Sequence, residues 1–192
     1  MKDTFRRDIG SAFATVLKPL GFKKHGLTWQ RQSGKFVDLL DVQASQFERV
    51  FAVNMGVAIL TVRDEVFDAG VETKYAASGT VEMRLGMLAY EGRDFWWQKD
   101  SASEIQDAVE KFKLHGPPFF ERYHDTDEMI RTLEAGKHES RLTFPKSFYL
   151  ALLQLQFGDK DKGCKILHDI SLRPPAPWNE PALALLQKYS CS

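Results

Sequence analysis

Leu17-Lys18-Pro19-Leu20-Gly21-Phe22-Lys23-Lys24 opens a stretch that continues through Trp29 and Val42-Gln43-Ala44-Ser45 to Val53-Asn54-Met55-Gly56-Val57. It reads as the end of a helix followed by three strands. Proline disfavours the α conformation in the residue before it, so Pro19 ends a helix, and Gly21 suits a left-handed cap. Upstream, Phe5, Ile9, Phe13, Val16 and Leu20 recur at helical spacing, which predicts a helix over residues 4–18 with one apolar face. Downstream, residues 27–32 and 35–45 read as a hairpin around the two-residue turn Ser33-Gly34. That turn sets Gln32 against Lys35, Gln30 against Val37 and Thr28 against Leu39. It leaves Leu27, Trp29 and Arg31 on the face of Phe36, Asp38 and Leu40.

The third strand, residues 50–60, alternates strictly. Phe51, Val53, Met55, Val57 and Ile59 face one way, and Ala52, Asn54, Gly56 and Ala58 the other. A fourth, residues 80–88, sets Val81, Met83 and Leu85 against Glu82, Arg84 and Gly86. Such period-2 patterns belong to an antiparallel sheet with one buried face. Residues 62–79 between these strands are polar and irregular, with a short helix around residues 65–68. Ser103 caps a helix that runs to Leu114 and breaks at Gly116-Pro117-Pro118, and a further helix covers residues 126–134.

From Arg141 the pattern is helical. Pro145 suits a helix start, Gly158 stops that helix, Asp159 caps the next, and Asn179 caps the last, after the stiff connector Arg173-Pro174-Pro175-Ala176-Pro177-Trp178. One helical pair is too little for a repeat array. The expected fold is α+β: an N-terminal helix, an antiparallel sheet of four or more strands, and C-terminal helices. Residues 1–140 form the sheet domain and residues 141–192 a helical extension packed on it.

Composition narrows the function classes. The 192 residues hold 26 Lys+Arg and 26 Asp+Glu, so the chain lacks the basic excess that phosphate backbones attract. No apolar run is long enough to span a bilayer, and the N-terminus has no secretory apolar region. The chain reads as cytoplasmic, with neither nucleic acid nor membrane as partner. Cys164 and Cys191 are too few for a disulfide framework, so both are expected as free thiols.

The residues that invite a site lie on the polar side of the sheet. Strand parity puts Asp41, Gln43 and Ser45 on the face of Asn54 and Gly56, and Glu82 and Arg84 join them if the fourth strand is a neighbour. Ala52, Gly56, Ala58 and Gly86 keep that face shallow. It is either the bed of a closely docked helix, with the amides satisfying buried polar groups, or a groove in which Gln43, Asn54 and Arg84 are directional contacts. Trp96-Trp97 follows in sequence. Neighbouring strand residues point to opposite sides, so at most one enters the core, and both read either as rim packing or as an interface anchor.

Asp38 and Arg31 are expected to pair at the sheet edge and guard it. Cys164 and His168, four apart, are half of a zinc site without a second half. Tyr123-His124-Asp125-Thr126-Asp127-Glu128 reads as a helix N-terminus complemented by carboxylates. There is no Gly-rich phosphate loop, nucleophile elbow or zinc-protease helix. No catalytic residue, metal or cofactor is assigned.

With these residues laid out, the chain resembles the bacterial family known as domain of unknown function 4304. The resemblance rests on Leu17-Lys18-Pro19-Leu20-Gly21-Phe22-Lys23-Lys24, Gln43-Ala44-Ser45, Val53-Asn54-Met55-Gly56, Arg84-Leu85-Gly86 and Trp96-Trp97. It covers residues 4–97 and extends loosely to the Gly158-Asp159 turn. Asp41-Val42 stands where the family pattern has Asn-Phe, which adds an acid to the polar face. The resemblance implies a fold and no catalytic residue.

The expected function is a non-enzymatic binding or interaction protein with a protein partner, a toxin-neutralising role being one concrete version. Asp41, Gln43, Ser45, Asn54, Arg84, Trp96 and Trp97 form its contact surface. The alternative is an enzyme of unrecognised type that gathers Asp41, Arg84 and His124 in a cleft.

Overall fold

The computed structural model describes residues 2–69, 79–136, 146–172 and 178–191. The first helix, α1 (Lys2–Leu17), ends as its sequence dictates: the Phe22 amide returns to the Leu17 carbonyl at 3.0 Å, and Gly21 takes a φ of +84°. Then come β1 (Lys23–His25), β2 (Thr28–Ser33), β3 (Phe36–Ala44) and β4 (Val50–Ile59), followed by α2 (Leu60–Asp68), β5 (Val81–Arg84) and α3 (Leu85–Ala89). The short β6 (Trp97–Gln98) leads into the long α4 (Ala102–Tyr123), and α5 (Thr126–Glu134) follows after a one-residue cap. The remaining helices are α6 (Lys146–Phe157), α7 (Lys160–Ser171) and α8 (Asn179–Lys188). The protein is α+β.

The sheet has six strands, all pairs antiparallel, in the order β1-β2-β3-β4-β5, with β6 on β4 as well. β5 pairs with Asn54 to Val57 of β4, while β6 pairs with Val50 and Phe51, so the two share the strand end to end. The apolar face of β4 is closed: Phe51, Val53, Val57 and Ile59 are fully buried. Phe13 of α1 meets Trp29 of β2 at 5.8 Å and Phe112 of α4 at 6.0 Å between ring centres, so both helices cover this face. Each such side chain contributes about 1.5–3 kcal/mol on burial. The apolar cluster runs on without a break through Phe148 and Leu152 of α6 and Leu167 of α7 to Leu185 of α8.

Five local expectations are corrected, the first being the cap of α4: Ser101, not Ser103, accepts from the Glu104 amide, and Ser103 lies inside the helix. The hairpin turns at Gly34-Lys35: Ser33 opposes Phe36, Gln32 opposes Val37, and Thr28 opposes Asp41. Gly34 is then the first turn residue, with a φ of +59°, the position where a type II′ turn wants glycine. The two-residue shift keeps every side chain on its expected face.

The fourth strand stops at Arg84, and Leu85 to Ala89 wind into α3. The helix α4 does not break at Gly116-Pro117-Pro118. Both prolines are exposed, as are Lys113 and Leu114, whose carbonyls lose their helical donors, while Phe112, Phe119 and Phe120 stay in the core. Trp178, not Asn179, caps α8. The expected segment at residues 70–78 lies outside the described residues, as does most of the 173–178 connector.

The cysteines are also corrected: Cys164 and Cys191 form a disulfide with Cα atoms 5.5 Å apart. It ties α7 to the residues after α8. From the other side, Lys188 Nζ reaches Glu65 of α2 at 2.8 Å and the Tyr189 hydroxyl donates to it at 3.2 Å. Asp159 caps α7 as expected, accepting from the amides of Asp161 and Lys162.

Candidate functional site

Alternation along β3 and β4 delivers the polar face. Asp41 stands opposite Asn54, which stands opposite Arg84 on β5, and Gln43 stands opposite Ala52. The Thr28 hydroxyl donates to Asp41 Oδ1 at 2.9 Å, and Asn54 Nδ2 donates to the Asp41 carbonyl at 3.3 Å. Arg84 is held by Asp94, and its guanidinium lies 4.9 Å from the centre of the Trp96 ring. Among the described residues, no donor reaches the buried Gln43 Oε1 or Asn54 Oδ1, Asn54 being 7% exposed. A buried acceptor without a donor costs about 1–3 kcal/mol, so native proteins keep few of them.

One end of the face is closed by backbone. A Cβ on Gly56 would sit 3.3 Å from the Gly79 Cα, and a Cβ on Gly79 would sit 2.8 Å from the Val57 nitrogen. Glycine is required at 79 for this approach, while a Cβ at 56 would be tight but would need only a shift of a few tenths of an ångström. The Gly79 amide donates to Glu82 Oε1 at 3.1 Å and holds the crossing in place.

The other end is the loop between β3 and β4. Ser45 does not present its hydroxyl to the face. Its Oγ accepts from the amides of Phe47 and Glu48 at 3.3 and 3.0 Å, a tight local turn. Lys99 Nζ donates to the Ser45 carbonyl and, at 3.0 Å, to the Glu48 carbonyl. This braced loop holds out Phe47, which is 97% exposed. Sequence reasoning missed Phe47. The one available signal was an aromatic residue inside a short polar turn headed by serine.

The tryptophans divide. Trp97, opposite Phe51, is fully buried, and its indole N–H donates to Asp107 at 2.8 Å. It belongs to the core and is withdrawn from the contact surface. Trp96 points the other way, half-buried, against Arg84.

His124 is also placed elsewhere. Its Nε2 lies 2.7 Å from Asp38 Oδ1, and its ring stacks on Phe36 with centres 4.7 Å apart. Asp38 is on the core side of β3, fully buried, and takes Arg31 Nη2 at 2.6 Å and Nε at 2.9 Å on its other oxygen. This cluster joins β2, β3 and the end of α4; Arg31 lies just past the pairing of β1 with β2, so the expected Arg31–Asp38 ion pair does sit where β2 is the sheet edge. Asp41, Arg84 and His124 therefore share no cleft. The acidic start of α5 is structural as expected: Asp125 accepts from the amides of Asp127 and Glu128.

Fold and face together describe a one-sheet α+β protein whose second side is polar on β3 and β5 but buried along β4, where Ala52, Asn54 and Ala58 are 1%, 7% and 2% exposed, with Phe47 exposed on the loop at its end. The chain belongs to the family described as domain of unknown function 4304 (DUF4304), whose model matches residues 13–115, from α1 into α4. No curated protein and no solved structure matches the chain.

Proposed function

We propose that this protein is a non-enzymatic binding protein that takes a protein partner on the polar face of its sheet, with Phe47 as the anchor. The observation that carries the reading is Phe47 itself, 97% exposed on a loop that Ser45 and Lys99 hold rigid. A large aromatic side chain kept in water by a pre-organised loop loses little entropy on docking. Aromatic anchors of this kind dominate interface energies. Trp96, stacked under Arg84, supplies a flat half-buried neighbour.

In this reading the protein works in the bacterial cytoplasm, needs no cofactor, and binds neither nucleic acid nor membrane. Its balanced charge suits that role. Neutralising a toxin is one form the role would take.

The test is affinity capture from the native host with three baits: the wild type, Phe47→Ser and Trp96→Ala, each checked for an unchanged circular dichroism spectrum. Loss of an anchor worth about 2 kcal/mol reduces recovery roughly 30-fold. A partner recovered by the wild type and depleted on both variants supports the proposal. Equal recovery on all three contradicts it.

A further inference from the structure

The disulfide lies under an open cleft. Cys164 sits in α7 and Cys191 follows α8, with a sequence separation of 27, and both are only partly buried. A cavity of about 510 Å³ opens over the bond, lined by Lys160, Asp161, Lys165, His168 and Ser190 along with the two cysteines. Helical spacing sets Lys160 and His168 one turn to either side of Cys164, and Lys165 is its neighbour. Two ammonium groups against one carboxylate make the cleft cationic, and all three side chains are exposed. Disulfides that persist by design in a reducing compartment are rare. Those found there are mostly transient or redox-sensing.

We propose that Cys164–Cys191 is a reversible thiol–disulfide exchange site that accepts a small anionic thiol, the lysines receiving its carboxylates. The incoming thiolate attacks Cys191 Sγ. The sulfur–sulfur bond breaks and Cys164 leaves as the thiolate, because Lys160 and Lys165 stabilise negative charge there, and the better-stabilised thiolate leaves faster. A second thiolate then attacks the mixed disulfide on Cys191, forming the small disulfide and releasing the Cys191 thiolate. Two small thiols lose two electrons and form one disulfide, and their two protons end on the two cysteines.

The fold survives this exchange, because the Lys188–Glu65 pair and the buried Ala182 and Leu185 still hold α8. The site lies away from the sheet face and shares with the proposed function only the cytoplasmic compartment, so the partner test and the thiol test are read separately.

The test follows thiol release from the oxidised full chain at neutral pH without denaturant, with glutathione as the anionic probe and dithiothreitol as the neutral one. Replacing both lysines, Lys160→Gln with Lys165→Gln, slows both reagents because the leaving Cys164 thiolate loses its stabilisation, and slows glutathione about ten-fold more than dithiothreitol because only glutathione also loses its carboxylate partners. The trapped glutathione adduct maps to Cys191. Equal slowing of both reagents, an adduct on Cys164, or no reduction by glutathione overturns the proposal. In Cys191→Ser, the alkylation of Cys164 has its pH midpoint below the ordinary thiol value of about 8.5. A midpoint at or above that value overturns it as well.

Discussion

Asp107 takes two donors at once, the Tyr90 hydroxyl at 2.5 Å and the Trp97 indole at 2.8 Å. Burial pushes the Tyr90 phenol up to about 12, and the neighbouring carboxylate adds to the shift. A raised phenol favours the folded state while it is neutral. That contribution is complete below about pH 10 and is lost as pH climbs through about 12. Tyr90→Phe should therefore remove a late-ionising component from the absorbance titration of the five tyrosines. Survival of that component in full would contradict the assignment.

Burial pushes the Asp107 carboxyl up, but the Tyr90 and Trp97 hydrogen bonds and nearby Lys111 outweigh it and hold it below the usual aspartate range. Its contribution is present above about pH 4 and is lost as pH falls below that. Asp107→Asn should flatten the acid limb of the stability profile in chemical unfolding. Sequence reasoning could say that one of two adjacent tryptophans enters the core. It could not say which, because that depends on how β6 pairs with β4.

Between elements, Arg31, Asp38 and His124 form the polar joint of an otherwise apolar layer. Arg31→Met leaves the buried Asp38 with His124 as its remaining side-chain partner, so it should cost about 1.5–3 kcal/mol in urea unfolding, the loss of a charged hydrogen-bonded partner. Adding Asp38→Leu should return most of that loss, because no bare charge remains. Losses that simply add would show the joint to be uncoupled.

Within α4, Pro117 and Pro118 sit mid-helix on the exposed side. Replacing each with alanine should raise stability by about 1–2 kcal/mol. A loss would mean that the bend they impose matters to packing. Periodicity exposed nearly every element because one face of each is buried. Its failures have physical causes: a two-residue shift of the hairpin leaves alternation intact, and a Gly-Pro-Pro run breaks a helix only where packing does not hold it.

For the molecule as a whole, the order helix, sheet, helices was legible from alternation and caps, and the polar face from strand parity. Its boundaries were not. Phe47 projects from a turn with no period, Gly79 crosses Gly56 from far along the chain, and the Cys164–Cys191 bond joins residues that only the packing of α7 on α8 brings together. The Asp38–His124 contact spans 86 positions and escaped for the same reason.

A photo-reactive phenylalanine analogue at position 47, expressed in the native host, decides whether this loop meets a protein partner. Position 172 serves as the control, because Leu172 is 75% exposed at the far end of α7. One discrete cross-linked protein should form from position 47 and none from position 172. No cross-link from position 47, or the same products from both positions, would contradict the binding role.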